Sequence, residues 1–197
     1  MTDENVISFR IPPWVAGFLP RYVASTNIDD RMSFVIEATR RNVIEKTGGP
    51  FAAAIFERDG GKLVSLGVNL VATENLCILH AEIVAIAVAQ RALGTFDLGQ
   101  EGLPPHELVT SSEPCAMCFG AVPWSGVRRL VAGARDADVR KIGFDEGAKT
   151  ADWRAELEKR GIETIVDVRR DMAVGVLNGY AAQGGAIYGA RGTGPSG

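Results

Sequence analysis

Residues 78–90 read ILHAEIVAIAVAQ, and two reactive side chains, His80 and Glu82, stand just ahead of the apolar run. The run predicts a buried helix over about residues 80–94. Taken alone, the pair has a simple structural explanation, because a glutamate in the first turn of a helix is stabilised by the helix dipole. A second segment of the chain changes that interpretation.

Residues 111–122 read SSEPCAMCFGAV and place Cys115 and Cys118 at the start of another apolar helix. Two thiols at positions i and i+3 lie on the same face of a first turn, and Pro114 suits a helix start because its missing N–H costs nothing there. The helix dipole favours thiolates at this end. With His80, they offer two sulfur donors and one nitrogen donor. This set favours zinc and leaves a fourth coordination position open.

Three protein donors indicate a catalytic rather than a structural zinc, which normally has four. The sequence has no second Cys-x-x-Cys or paired-histidine motif to complete a structural site. His106 is interpreted as an exposed loop histidine, and Cys77 as a small packed apolar group. Two thiolates cancel the charge of the zinc ion, so a water at this site needs a neighbouring base, and Glu82 is the candidate.

Outward from these helices, strands and helices alternate. Residues 26–46 predict an amphipathic helix with Thr26 and Asp29 as its capping pair, and residues 51–71 predict a strand hairpin that turns at Asp59-Gly60-Gly61. The remaining predicted elements are strands at 107–111, 128–134 and 162–168 and a helix at 169–183. This order predicts an α/β fold with one central mixed sheet and helices on both of its faces.

The two ends of the chain are predicted to lie outside this unit. Three prolines in residues 9–20, FRIPPWVAGFLP, argue against a regular helix or a central strand, so residues 1–26 are interpreted as an irregular arm. Residues 27–185 form the predicted domain. The glycine-rich residues 186–197 are interpreted as a loose tail.

Composition limits the classes of function. The 197 residues suit one domain, and a net charge of −3 does not favour nucleic acid as a partner. The sequence shows no signal segment and no apolar run long enough for a bilayer. Three cysteines, two of them in one motif, do not form a disulfide framework, so we predict a cytoplasmic location and no membrane partner.

The His-x-Glu and Pro-Cys-x-x-Cys segments resemble the signature of the zinc-dependent cytidine deaminase superfamily. Within it, GGPFAAAIF, GVNLV, HAEIVAI, SSEPCAMCFGAVPWSGV and IGFDEG are most similar to the bacterial guanine deaminase and nucleoside deaminase branch. The resemblance implies a three-layer α/β/α fold, with 27–185 as the deaminase domain and one zinc ion per chain.

The resemblance also implies residue roles. Zinc is expected on His80, Cys115 and Cys118, with Glu82 as the proton shuttle. The remaining expected contacts are to the substrate: the Asn69 amide, the Phe51 and Phe144 rings, the Ala81 backbone N–H, and a carboxylate in the FDEG segment. Guanine presents two donors along one edge, for which a carboxylate is the natural acceptor, and Glu146 is preferred to Asp145 for this role.

The reaction implied is hydrolysis of a free nucleobase, guanine to xanthine plus ammonia, with attack at C2. The alternatives are a nucleoside (guanosine or cytidine) deaminase and a tRNA adenosine deaminase. The basic pairs Arg128-Arg129 and Arg169-Arg170 are interpreted as solvated ends of elements, which disfavours tRNA. Two alternatives belong to a different class of function: a non-catalytic zinc module and a redox-active cysteine pair. Neither of them would need Glu82 as an acid–base group.

Several features leave alternatives open. Ala52 stands where relatives often have glycine, and its methyl group would either narrow the pocket or have no effect. The arm with Trp14 would cover either the pocket or a subunit interface. Trp124 is assigned to the core by default, with an interface as the alternative. A homodimer is expected from the resemblance.

Overall fold

The structure, a computed structural model, describes residues 6–189. Five strands form one sheet in the order β2-β1-β3-β4-β5. β1 pairs with β2 and β3 in antiparallel fashion, whereas β3–β4 and β4–β5 are parallel, so the predicted mixed sheet is confirmed. The strands are β1 (Ala52–Glu57), β2 (Leu63–Val68), β3 (His106–Ser112), β4 (Arg129–Ala134) and β5 (Glu163–Ile165).

Helices flank this sheet on both sides. They are α1 (Trp14–Phe18), α2 (Ile28–Ile44), α3 (Val71–Glu74), α4 (Ala81–Leu93), α5 (Ala116–Ser125), α6 (Asp136–Lys141), α7 (Trp153–Glu158) and α8 (Arg170–Ala182). The short helices α3, α6 and α7 were not predicted, because four to six residues give too few turns for a periodic apolar pattern. Within residues 6–189, none of the helices has both the length and the apolar character needed to cross a membrane.

Two apolar cores lie on opposite faces of the sheet, which confirms the three-layer α/β/α fold. One core contains the buried sides of α2 and α8, and the other contains those of α4, α5 and α7. Helix α4 lies unusually close to β2 at Gly67. A Cβ atom there would come within 2.3 Å of the Ala81 carbonyl oxygen and of the Ala85 nitrogen, so only glycine permits this packing.

The strand directions determine where the polar side chains meet. Because β1 is antiparallel to both β2 and β3, the carboxyl ends of β2, β3 and β4 all lie at one edge of the sheet, beside the start of β1. The segments that follow these ends lead into α4 and α5. His80 and Cys115 are the N-cap residues of those two helices.

The arm and its junction differ from the prediction in two respects. Residues 9–20 are not irregular throughout, because α1 forms after Pro12-Pro13 and buries Val15 and Phe18 in the core. Proline is tolerated at a helix start, where its N–H would have no partner in any case. Helix α2 is capped by Asn27 rather than by Thr26, since the Asn27 side chain accepts the Asp29 N–H at 2.9 Å.

The burial predicted for His106 and for Trp124 was wrong. His106 is the first residue of β3 and is buried, and its Nδ1 lies 2.8 Å from the Leu98 carbonyl oxygen, a contact between segments that sequence spacing does not show. Trp124 is not in the core: its side chain is 85% exposed near the end of α5. That helix turns its apolar surface partly outward.

Candidate active site

The three predicted metal donors converge where α4 and α5 begin. The donor atoms of His80, Cys115 and Cys118 all lie within 4.8 Å of one another. The Cys115 Sγ is 3.4 Å from the Nδ1 of His80. Two soft sulfur donors and one imidazole at this spacing fit a tetrahedral zinc ion with one position left for a non-protein ligand. The residues present therefore suit the ion.

Hydrogen bonds link Cys115 to His80 and Cys118 to Glu82, and they shift the pKa values of these groups. A hydrogen bond with the Cys118 side chain, followed by one with His80, lowers the pKa of Cys115 to about 4 although burial opposes this. The pKa of Cys118 is raised well above that of a free thiol, first by the same hydrogen bond with Cys115 and second by burial. Burial lowers the pKa of His80, but the hydrogen bond with Cys115 and the charge of Glu82 outweigh it and leave the pKa raised. A bound divalent cation would displace the remaining thiol proton.

Glu82 lies in the first turn of α4 beside these donors. Its carboxylate is 5% exposed, and the Cys118 thiol donates to its Oε2 at 3.4 Å. Burial raises the pKa of Glu82, and the negative charge of Cys115 acts in the same direction. A buried carboxyl group with a raised pKa both accepts and returns a proton readily, which is the property of a general acid–base group.

A cavity of about 440 Å³ opens next to this cluster, and Asn69 forms part of its wall. The Asn69 Oδ1 accepts the Tyr188 hydroxyl at 2.6 Å and the Val71 N–H at 3.3 Å. Because a backbone N–H can only donate, it fixes which end of the amide is oxygen. The amide NH₂ group therefore remains as a donor for a molecule in the cavity. The Asn42 side-chain amide holds this segment in place by donating to the backbone carbonyl of Asn69 at 3.0 Å.

Aromatic rings form another wall of the cavity. Phe51 and Phe144 meet edge to face with centroids 5.0 Å apart, and Tyr188 meets Phe144 in the same way at 5.3 Å. All three rings line the cavity. Apolar ring surfaces of this kind suit a flat heterocycle.

Of the two adjacent carboxylates in the FDEG segment, Glu146 is the buried one, at 7% exposure. Burial raises its pKa to about 8, and the charges of Cys115 and Glu82 add to this effect. The Asp145 Oδ1 accepts the Gly147 N–H at 2.9 Å and lies 3.5 Å from Arg140, so local contacts already engage it. Both residues line the cavity, but only Glu146 offers a buried carboxylate without a salt bridge among the described residues.

The cavity contains residues that the sequence interpretation had placed elsewhere. Tyr188 and Gly189 lie in the predicted loose tail, yet they line the cavity, and the tail beyond them falls outside the described residues. A lone tyrosine in a glycine-rich stretch was the available signal. Cys77, expected to be packed, is exposed at the same cavity, because it follows α3 in an irregular turn.

The position of Ala81 relative to the cavity can be compared with the prediction. Ala81 is the buried first residue of α4 between the cavity-lining His80 and Glu82, and its own atoms are not among those that line the cavity in the described part of the chain. Its N–H contact to substrate stays a prediction.

Ala52 is fully buried in β1 and likewise contributes nothing to the described cavity wall, so its methyl group does not narrow the pocket directly.

Comparison with known proteins identifies this arrangement. A family model described as the cytidine and deoxycytidylate deaminase zinc-binding region matches residues 25–134. A solved structure of guanine deaminase from Nitrosomonas europaea is 45% identical with a TM-score of 0.87, and the match covers 91% of this chain and 98% of that one.

Curated relatives give shorter matches. The guanine deaminase of Bacillus subtilis (strain 168) is 37% identical over 99 residues, which are 50% of this chain and 59% of that protein. The tRNA-specific adenosine deaminase of Rickettsia bellii is 34% identical over 88 residues, or 45% and 57% of the two chains. The matched segment thus spans less than two thirds of either curated relative.

Proposed function

The chain belongs to the zinc-binding family of cytidine and deoxycytidylate deaminases, and from that premise we propose that it hydrolyses guanine to xanthine and ammonia. The observation that carries the proposal is a second carboxylate, Glu146, buried in the same cavity as Glu82 and the metal donors. Guanine presents its N1–H and its 2-amino group along one edge. Hydrogen bonds from these donors favour the ionised form of Glu146 and so offset its raised pKa, and the buried carboxylate then matches them as an acceptor. The similarity to guanine deaminases supports the same substrate.

His80, Cys115 and Cys118 would hold the zinc ion. When bound, the ion supplies Lewis acidity that makes water a nucleophile at neutral pH. Glu82 takes one proton from the attacking water on its carboxylate and passes it to a ring nitrogen. It then takes the remaining proton of the hydroxyl group added at C2 and gives it to the amine, which leaves as ammonia when the C2–N bond breaks. The raised pKa of Glu82 suits both steps, because a carboxyl group with a pKa closer to neutrality returns a proton more easily.

The remaining cavity residues orient the base. The Asn69 amide NH₂ donates to an acceptor of the ring, and Glu146 accepts from the N1–H and amino edge. Phe51 and Phe144 contact the ring and exclude water from it, which strengthens the polar contacts around C2. The Ala81 N–H is retained as a further donor.

Tyr188 contributes indirectly, by holding the Asn69 amide. We expect Tyr188→Phe to lower kcat/KM for guanine by about two- to tenfold, since one hydrogen bond of about 0.5–1.5 kcal/mol is lost while the ring stays in place. Steady-state xanthine formation would measure the effect, with Tyr180→Phe as a matched control, because the Tyr180 hydroxyl bonds the Ala186 carbonyl instead. Equal activity of wild type and Tyr188→Phe would argue against the role of this hydroxyl.

The test of the function is ammonia release by the purified, zinc-loaded protein from guanine, guanosine, cytosine, cytidine, adenine and a tRNA anticodon stem-loop. Release from guanine above all others supports the proposal. Release only from a nucleoside or from the RNA would retain the deaminase chemistry and refute the free-base assignment. No release from any of them would refute the assignment to guanine.

Salt bridges engage most of the arginines that binding of a tRNA loop would require. Arg129 pairs with Glu107, Arg170 with Asp138 and Arg169 with Asp29, so three of the four arginines that phosphates would require already face carboxylates. A protein that binds an RNA loop needs several free cations near its pocket.

We include a cytoplasmic homodimer in the proposal. Two large apolar side chains, Trp124 and Phe96, are 85% and 86% exposed, on neighbouring segments that are joined by the Leu98 N–H donating to the Ser125 carbonyl. Burying both in a subunit contact would remove this apolar area from water. A sedimentation mass equal to the 21.0 kDa of one chain would contradict the dimer.

A further inference from the structure

A lysine ammonium group lies buried just behind the cavity wall. The side chain of Lys149 is only 5% exposed, and its Nζ donates to the Pro114 carbonyl at 2.9 Å. It also lies 3.1 Å from Asp136 and 3.7 Å from Glu113, and 5.0 Å from the centroid of the Trp153 ring. An ammonium group loses much hydration on burial, so these contacts must compensate for that loss.

The contacts of Lys149 join two parts of the site. Pro114 directly precedes the metal donor Cys115, and Lys149 follows Glu146 by three residues. The two segments meet a second time, because the Ala116 N–H donates to the Glu146 carbonyl at 2.8 Å. The loop of residues 144–149 is therefore held against the start of α5 at two points, its middle residue Glu146 and its last residue Lys149.

Two acidic side chains lie next to the ammonium group of Lys149. Glu113 and Asp136 are neighbours, since the Glu113 Oε2 accepts the Asp136 backbone N–H at 3.1 Å and the Lys149 Nζ lies 3.7 Å from one carboxylate and 3.1 Å from the other. Lys149 pairs with both carboxylates, and Arg140 also pairs with Asp136. On the other side of the loop, Arg140 donates to the Gly147 carbonyl at 3.0 Å, but it does not reach α5 in the described structure.

We propose that Lys149 is a positioning residue that fixes Glu146 relative to the metal donors by clamping the 144–149 loop onto the start of α5. The inference rests on the proposed function for its kinetic consequence, although the clamp itself does not. Without the ammonium group, the loop keeps its one backbone hydrogen bond to α5, at Ala116, and Glu113 loses its salt bridge, whereas Asp136 keeps the one with Arg140. Glu146 then samples positions displaced from the reacting edge of the base.

The test compares Lys149→Met, Lys149→Arg and the control Lys159→Met, whose lysine is 68% exposed on the surface. We expect Lys149→Met to lower kcat/KM for guanine about tenfold, as a small displacement of a catalytic group does. Lys149→Arg should recover most of the loss, because it keeps the charge and the donors, and Lys159→Met should match wild type. All variants should bind one zinc per chain.

A double-variant cycle separates positioning from general damage. If Lys149 acts through Glu146, Lys149→Met costs less than about twofold when Glu146 is already glutamine, because coupled residues are not additive. Equal losses in both backgrounds, or a loss that follows zinc content, would overturn the proposal.

Amide hydrogen exchange of residues 144–149 tests the clamp without any assay of activity. Faster exchange in Lys149→Met, and not in Lys159→Met, is expected. Unchanged exchange would refute the clamp even in an active enzyme. If wild type deaminates none of the bases, the function assigned above fails, while faster exchange would still support the clamp.

Discussion

We expect Glu82→Gln to abolish nearly all of the proposed turnover of guanine while the protein keeps its zinc and its fold. We expect kcat to fall by about 10²- to 10⁴-fold, the usual contribution of a general acid–base group. Glutamine has the shape of the buried carboxyl group and preserves packing at a site that is 5% exposed, but its amide neither accepts the proton of the attacking water nor delivers one to the leaving amine. Xanthine formation and ammonia release measure the loss.

The control for this substitution is Glu101→Gln, which removes an exposed carboxylate on the loop before β3 and should leave kcat within twofold of wild type. Metal content and thermal unfolding of both variants should match wild type, because Glu82 is not one of the three clustered metal donors. A Glu82→Gln variant that binds one zinc per chain and retains a tenth of the wild-type rate would assign the proton transfer to another group.

The metal donors were predictable because their signal is local. Cys115 and Cys118 occupy one turn, and each donor helix begins at a residue that the sequence marks by its type and by the apolar run after it. The alternation of strands and helices predicted the sheet for the same reason, since each element carries its own periodicity. Only the meeting of the two helices at one sheet edge required a topological argument.

Residues whose environment depends on distant segments were not predictable in this way. Tyr188 reaches Asn69 across 119 positions of sequence, and Lys149 reaches Pro114 across 35. The ring of the buried His106 contacts the Leu98 carbonyl oxygen. Trp124 is exposed because it lies on a helix that has more apolar residues than positions facing the core. The residue type indicates whether a side chain prefers to be buried or exposed. Its actual neighbours depend on how elements distant in sequence pack together.

The other large loss is expected from Glu146→Gln, of about 10²-fold or more in kcat/KM for guanine. Two effects combine in this value. A buried carboxylate that accepts charge-assisted hydrogen bonds is replaced by an amide whose NH₂ group meets the donors of the guanine edge, and each such bond contributes about 1.5–3 kcal/mol. Any proton that Glu146 exchanges with the departing ammonia is lost as well. Steady-state kinetics with guanine, and zinc content as a check on the metal site, measure the change.

The adjacent residue provides the matched control and decides between the two carboxylates. Asp145→Asn removes the same charge one position earlier, where the Oδ1 atom already accepts the Gly147 N–H and faces Arg140. An asparagine oxygen can keep the first of these contacts, so we expect kcat/KM within about threefold of wild type. A severe loss in Asp145→Asn together with near-normal activity in Glu146→Gln would reverse the assignment. If both variants were near normal, the edge of the base would be recognised by other groups, and the burial of Glu146 would reflect packing of the 144–149 loop rather than contact with substrate.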